Sequence, residues 1–236
     1  MNILPVPRIT IIGLGLLGGS FGLALRQAHV VQEVVGVDVS QDILDRALER
    51  GIIDRGTTDV ETAFHETDLV VLAMPVSTII EVLPDLVRHL SKRTLLFDLG
   101  STKGDISRTV DRLPEHIRYV GGHPMSGTEH AGVDAAQATL FSGATFALVP
   151  HPPADDEGMV LLTDLIRRIG ANPTVIPADR HDRIVAMTSH VPYLISSTLV
   201  RIADQAAQTD PRLWDFAASG FRDTSRIAAS NVRVMA

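Results

Sequence analysis

The chain has 236 residues, 45% hydrophobic and 21% charged, with a formal net charge of -7 and no cysteine. That length allows one large or two small domains with a well-buried core, and the missing cysteines exclude disulfides and thiolate metal sites. The acidic balance argues against nonspecific nucleic-acid binding, so an anionic substrate has to be captured by a few local arginines.

No apolar run approaches the ~20 residues that span a bilayer. The N-terminal MNILPVPRIT lacks a basic segment leading into a long apolar core, so no secretory signal is visible and a cytoplasmic protein is expected. Residues 8–13 (RITIIG) form a short β-branched run suited to a strand buried on both faces. It leads into Gly13-Leu14-Gly15-Leu16-Leu17-Gly18, then a helical pattern to about Gln27 and a second strand at residues 34–39 that carries Asp38, 20 positions after Gly18. A lone GxGxxG is weak; with the strand before it, the helix after it and the acid at that distance it is a dinucleotide fingerprint. Gly13 permits the tight turn, Gly15 lets backbone approach a pyrophosphate, and Gly18 lets helix and strand pack closely. The free N–H groups at Leu16 and Leu17 face the phosphates. Asp38 accepts from both ribose hydroxyls and repels a 2′-phosphate, so NAD is expected over NADP.

The alternation continues with a helix at 41–50, a strand at 68–73 (DLVVLA) and a helix at 78–90. A strand at 93–98 (RTLLFD) and a helix at 105–113 follow, and residues 118–120 lead into the stretch 121–132, GGHPMSGTEHAG. That stretch has no apolar periodicity and reads as a loop rather than a buried strand. Further strands are expected at 145–149 and 174–176, around a helix at 157–169, with a proline-rich loop at 150–156. The pattern implies a doubly wound, Rossmann-type α/β domain with a parallel sheet, whose ligands lie beyond the strand C-termini. Met74 and Pro75 either wall a nicotinamide or adenine ring or only end a strand.

After Pro177 the strand pattern stops, and residues 179–188, 191–205, 211–218 and 224–229 read as helices. The expected organisation is a dinucleotide-binding domain at 1–176 and a smaller all-helical domain at 177–236 for substrate and dimerisation. His190, where a helix is expected to open, is placed either at a cleft between domains or as a satisfied buried histidine; Arg222 and Arg226 have a solvated helix face as the plain alternative. The last residues, NVRVMA, stop on apolar side chains with no polar tail, from which further helix beyond them or cover by another subunit is expected.

Five motifs, GLGLLGGS (13–20), DLGSTKG (98–104), GGHPMSGTEHAG (121–132), SHVPY (189–193) and SGFRDTSRIA (219–228), occur in an order that resembles the prephenate/arogenate dehydrogenase family of tyrosine biosynthesis. The resemblance covers nearly the whole chain and implies a nucleotide-binding domain followed by a helical domain that forms a homodimer. It implies NAD-dependent oxidative decarboxylation of prephenate, with arogenate as the alternative substrate. It assigns His123 as the base that takes the ring-hydroxyl proton, and an imidazole of ordinary pKa, ~6.5, is largely neutral at cytoplasmic pH. Ser101 corresponds to the family serine that orients the histidine and the nicotinamide side, and Arg226 to the arginine that pairs with a substrate carboxylate. His190 corresponds to a substrate-side histidine; Thr128 and Glu129 line the same pocket; Lys103 matches a motif without a sharp role.

Two departures stand out: Tyr193 occupies a substrate-side position where many prephenate-type members carry a second histidine, which leaves arogenate open, and Ala236 falls where many carry a tryptophan. A β-hydroxyacid or imine-reducing dehydrogenase typically uses a lysine in its helical domain, and residues 177–236 contain none. A non-catalytic NAD-sensing module would need the fingerprint but not His123, Ser101 and Arg226 together.

Overall fold

The computed structural model describes residues 5–128, 130–152 and 155–229. Eight strands form one sheet: β1 (Val6–Ile12), β2 (Val31–Val37), β3 (Arg55–Thr57), β4 (Leu69–Leu72), β5 (Leu95–Asp98), β6 (Arg118–Pro124), β7 (Thr145–Pro150) and β8 (Asn172–Val175). The helices interleaved with them are α1 (Leu16–Gln27), α2 (Gln41–Glu49), α3 (Val60–Ala63), α4 (Val76–Leu86), α5 (Gly104–Val110) and α6 (Asp156–Arg168). Strand order is β3-β2-β1-β4-β5-β6-β7-β8, so the direction of winding reverses between β1 and β4.

Alternate residues of the central strands feed two separate cores, the period-two consequence of a pleated strand. Ile9 and Ile11 of β1, Leu69 and Val71 of β4, and Leu95 and Phe97 of β5 join one face, packed with Phe21, Phe141 and Phe146. Ile12, Val70, Leu72 and Leu96 join the other, with Leu83 and Ile106 from α4 and α5. Strands buried on both faces carry no polar alternation, which is why DLVVLA and RTLLFD read so clearly.

Three expectations are corrected. The sheet is not wholly parallel: β6 and β7 pair antiparallel, with His123 opposite Ala147. Among the described residues between them there is no α-helix, only a 3-10 turn at Val133–Ala135, and a parallel return would need a crossover, usually helical. Second, the loop expected from 121 begins later, because Gly121, Gly122, His123 and Pro124 are the end of β6 and three of the four are buried. Gly122 is a strand residue for a packing reason: a Cβ there would meet the Phe97 ring and the Asp98 carbonyl oxygen at 2.5 Å. Third, the short elements β3 and α3 (Val60–Ala63) were not anticipated, being too brief and too exposed to leave a periodic signature.

The chain divides into two compact units, Met1–His181 and Asp182–Ala236. The boundary falls inside α7 (Ala178–Val185), which is followed by a π turn at Ala186–His190 and by α8 (Val191–Ala207). The helix expected from residue 191 is present as α8, and the chain enters it directly from the π turn, with His190 already in helical conformation, rather than from a non-helical cap. Pro192 lacks an N–H and cannot supply an ordinary helical bond, and the π turn lies immediately before it.

In the second unit, α8 is followed by a 3-10 helix at Pro211–Phe216, then by α9 (Ser219–Ser225) and a 3-10 turn at Arg226–Ala229. The terminal NVRVMA lies outside the described residues. No helix among the described residues is long and apolar enough to cross a membrane.

Candidate active site

The β1–α1 turn has the form the fingerprint requires. Gly13 takes φ +90°, and a side chain there would also press on the carbonyl of Ala73. A Cβ at Gly18 would collide with the Gly13 carbonyl oxygen, whereas at Gly15 nothing lies within 4 Å of where a Cβ would be. The first bond inside α1 runs from the Gly19 N–H to the Gly15 carbonyl, 2.9 Å, so the N–H groups of Leu16, Leu17 and Gly18 have no acceptor within the helix. With no acidic residue in the first turn, that end is a ready anion site.

Asp38 follows β2 and is half-buried. Its carboxylate accepts from the Leu14 N–H at 3.0 Å and from the Ser40 N–H at 3.1 Å. Both bonds orient it at the mouth of the turn, and each oxygen keeps a lone pair for a ribose hydroxyl. Met74 and Pro75 leave β4 at the same edge; Pro75 caps α4 and is exposed, while Met74 packs against the second core. The residues present therefore fit a dinucleotide across the β1/β4 switch point.

Two strands further along, the β5–α5 loop carries Ser101, which is half-buried, and Lys103, which is wholly buried. Lys103 is not merely the end of a loop. Its ammonium pairs with the buried carboxylate of Asp98 and donates to the Gly122 carbonyl at 2.6 Å. Asp98 also accepts from the Gly100 N–H and from the Tyr119 hydroxyl, each at 2.6 Å. Burial first, then the Asp98 charge and the hydrogen bond to it, push Tyr119 well above the usual tyrosine range. This cluster ties the Ser101 loop to the residue preceding His123.

His123 projects from β6 beyond the last β5 residue paired with it, at the same sheet edge as the fingerprint. It is partly exposed. Its Nδ1 lies 2.8 Å from Nε2 of His181, with ring centroids 5.0 Å apart and planes at 68°. His181, only 3% exposed, was missed: a lone histidine on a helix carries no local signal, and only tertiary packing brings it here. Thr128 is exposed, its hydroxyl accepting from the His130 N–H at 3.2 Å. Glu129 lies outside the described residues.

In the second unit His190 and Tyr193 are half-buried, one turn apart, and Arg226 is exposed at the end of α9. The Ala228 N–H donates to the buried Ser196 hydroxyl at 3.0 Å. Because Ser196 is a turn on from Tyr193 and Ala228 two residues on from Arg226, that bond gathers Arg226 and Tyr193 into one region of the unit.

The descriptions of a prephenate dehydrogenase nucleotide-binding domain and of a prephenate dehydrogenase dimerization domain match residues 21–175 and 177–236. The chain belongs to the prephenate dehydrogenase family. Within that family, the prephenate dehydrogenase of Bacillus subtilis (strain 168) is 33% identical over 225 residues, 94% of this chain and 61% of the relative. The chain thus spans about three fifths of that protein's length. The cyclohexadienyl dehydrogenase of Zymomonas mobilis is 33% identical over 229 residues, covering 96% of this chain and 78% of the relative. Among solved structures, prephenate dehydrogenase from A. aeolicus, in complex with hydroxyphenyl propionate and NAD+, superposes with a TM-score of 0.88 at 29% identity. The match covers 98% of this chain and 81% of that one.

Proposed function

We propose that the chain catalyses the NAD-dependent oxidative decarboxylation of prephenate to 4-hydroxyphenylpyruvate. The observation that carries this reading is a histidine, His123, on a hydrogen-bonded strand at the sheet edge that also holds the β1–α1 fingerprint. In this reading Gly13, Gly15, Leu16, Leu17, Gly18 and Asp38 hold NAD, with Met74, Pro75 and Ser101 towards its nicotinamide half. Bound there, the nicotinamide supplies the hydride acceptor.

His123 takes the proton of the ring hydroxyl. The O–H electron pair becomes the carbonyl π bond as the carbinol C–H pair leaves as hydride; the pair of the C–C bond broken as carbon dioxide leaves then moves through the ring to that oxygen, which takes back a proton as the ring becomes aromatic. Ser101 orients the base, and the buried Asp98–Lys103 pair fixes the backbone on either side. Arg226 pairs with a substrate carboxylate through two parallel hydrogen bonds; His190, Tyr193, Thr128 and Glu129 complete the substrate contacts. Tyr193, in place of a second histidine, leaves arogenate open as the alternative substrate.

The division of labour we assign is nucleotide binding by residues 1–176 and substrate binding and dimerisation by 177–236, in a cytoplasmic homodimer. Exposed apolar side chains of the second unit, Leu194, Ile195, Ile202 and Phe216 among them, support an association surface there. Sedimentation at twice the chain mass is the expected result.

The test is NAD reduction measured with prephenate and with arogenate, repeated for His123→Asn. Turnover should fall by roughly 10²–10⁴, the contribution of a positioned base, while NAD affinity stays at the parental value. Arg226→Ala should raise the substrate KM about tenfold or more, as loss of a charge-assisted hydrogen bond implies. Undiminished turnover in His123→Asn on both substrates overturns the reading.

A further inference from the structure

We propose that His181 is a positioning residue for His123, holding it in the tautomer whose Nδ1 carries the proton and whose Nε2 receives the substrate's. This rests on the reading of His123 as the base. The geometry comes first: 2.8 Å between Nδ1 of His123 and Nε2 of His181 is a full-strength hydrogen-bond distance.

Two ring nitrogens that close must share one proton between them, since neither two N–H groups nor two lone pairs can face each other. Only two neutral arrangements meet that condition. In one, His181 donates from Nε2 and the proton of His123 is on its own Nε2, which cannot then act as a base. In the other, His123 donates from Nδ1 to His181 and its Nε2 bears the lone pair. Proton abstraction at His123 is compatible with the second alone.

The same contact serves the step itself. When Nε2 of His123 takes the hydroxyl proton, the imidazolium so formed already has its Nδ1–H directed at the lone pair of His181, so no group has to reorient. A histidine base is commonly set in this way by what its other nitrogen bonds to. His181 is well placed to hold still: it is 3% exposed, and its backbone N–H is bonded to the Pro177 carbonyl at 2.9 Å, in the first turn of α7. On the other side, β7 pairs with the His123 backbone. Both rings are therefore anchored through their main chains.

The experiment compares the parent with His181→Phe, which keeps a ring but removes both nitrogens, and with His181→Gln, which restores an acceptor near the Nε2 position. In the parent, long-range 15N–1H correlation spectra of 15N-histidine-labelled protein should show His123 protonated at Nδ1. His181→Phe should shift that residue towards the Nε2-protonated form and lower kcat by roughly tenfold to a hundredfold, short of the ~10²–10⁴ for losing a base outright. KM for prephenate and NAD affinity should stay within about twofold. His181→Gln should recover most of both the spectrum and kcat.

A parental spectrum with the His123 proton on Nε2 overturns the proposal, as does a His181→Phe variant with parental spectrum and kcat. If His123→Asn itself keeps full turnover, the reading of His123 as base fails instead, and the spectrum still reports on the pair.

Discussion

Replacing Lys103 with methionine removes an ammonium from the interior while keeping most of the side chain's apolar bulk. Its partner Asp98 is as inaccessible as Lys103 itself, so the carboxylate left behind has no route to solvent. It would keep only the Gly100 N–H and the Tyr119 hydroxyl as donors, and the Gly122 carbonyl would lose its own. Breaking one side of a buried pair in this way costs about 3–5 kcal/mol. For a unit the size of Met1–His181 that is a fall in Tm of roughly 6–20 °C.

Circular dichroism melts of the single variant and of Lys103→Met with Asp98→Asn separate the causes. Removing the stranded charge should return about half of the lost stability, since the asparagine oxygen can still accept from the Gly100 N–H while its amide NH2 donates to the Tyr119 oxygen. A single variant within 1 kcal/mol of the parent, or a double variant less stable than the single, would refute the argument that the pair is held together by mutual charge.

Three further outcomes are expected. Gly15→Ala should leave Tm nearly unchanged and weaken NAD about tenfold or more, whereas Gly18→Ala, whose methyl meets backbone, should cost about 1–3 kcal/mol before any ligand is added; equal effects in the two would contradict the turn geometry. The Arg118–Asp155 bridge is partly buried; desolvation pushes the Asp155 carboxyl up, but hydrogen bonds from Arg118 and the Gly158 N–H outweigh it and hold it below its ordinary value. A depressed folded pKa means the contribution is present above the unfolded value of about 3.9 and lost as pH falls through the folded one. The Tm gap between parent and Asp155→Asn should therefore close below about pH 4, and a gap constant from pH 6 to 2.5 would contradict it. Tyr119, raised by burial and by Asp98, should stay protonated past the ~10 of free tyrosine. The unfolded chain ionises first there, so stability falls as pH climbs above about 10, and a two-tyrosine absorbance step at 295 nm in still-folded protein would disprove the raised value.

The nucleotide half was written openly in the chain, because β1, β4 and β5 are buried on both faces and Gly13 and Gly18 of the turn leave no room for a side chain. The misreadings share a physical cause. Gly121 and Gly122 look like loop residues because they carry no apolar side chain, yet Phe97, Lys103 and Tyr119 fill the space a side chain would take. The antiparallel return of β7 had a readable sign, the absence of any helical pattern between residues 124 and 145, that the regular alternation elsewhere concealed. Lys103 and His181 had none of that kind. A buried lysine is legible only once Asp98 is seen to face it, and the pairing of His123 with His181 spans 58 positions of chain.

The reversal at β7 has a bearing on how such an enzyme could change what it accepts. In a wholly parallel sheet a reactive group past the strand tip rides on a connecting segment, and altering that segment moves the group. Here the backbone at position 123 is held in a ladder by its neighbour at 147, so the proposed base is carried on a fixed strand rather than on a connecting segment. Under the proposed function, new substrate preferences are then expected to arise at the proposed substrate-side residues Thr128, Tyr193 and Arg226, with the strand-borne base unchanged.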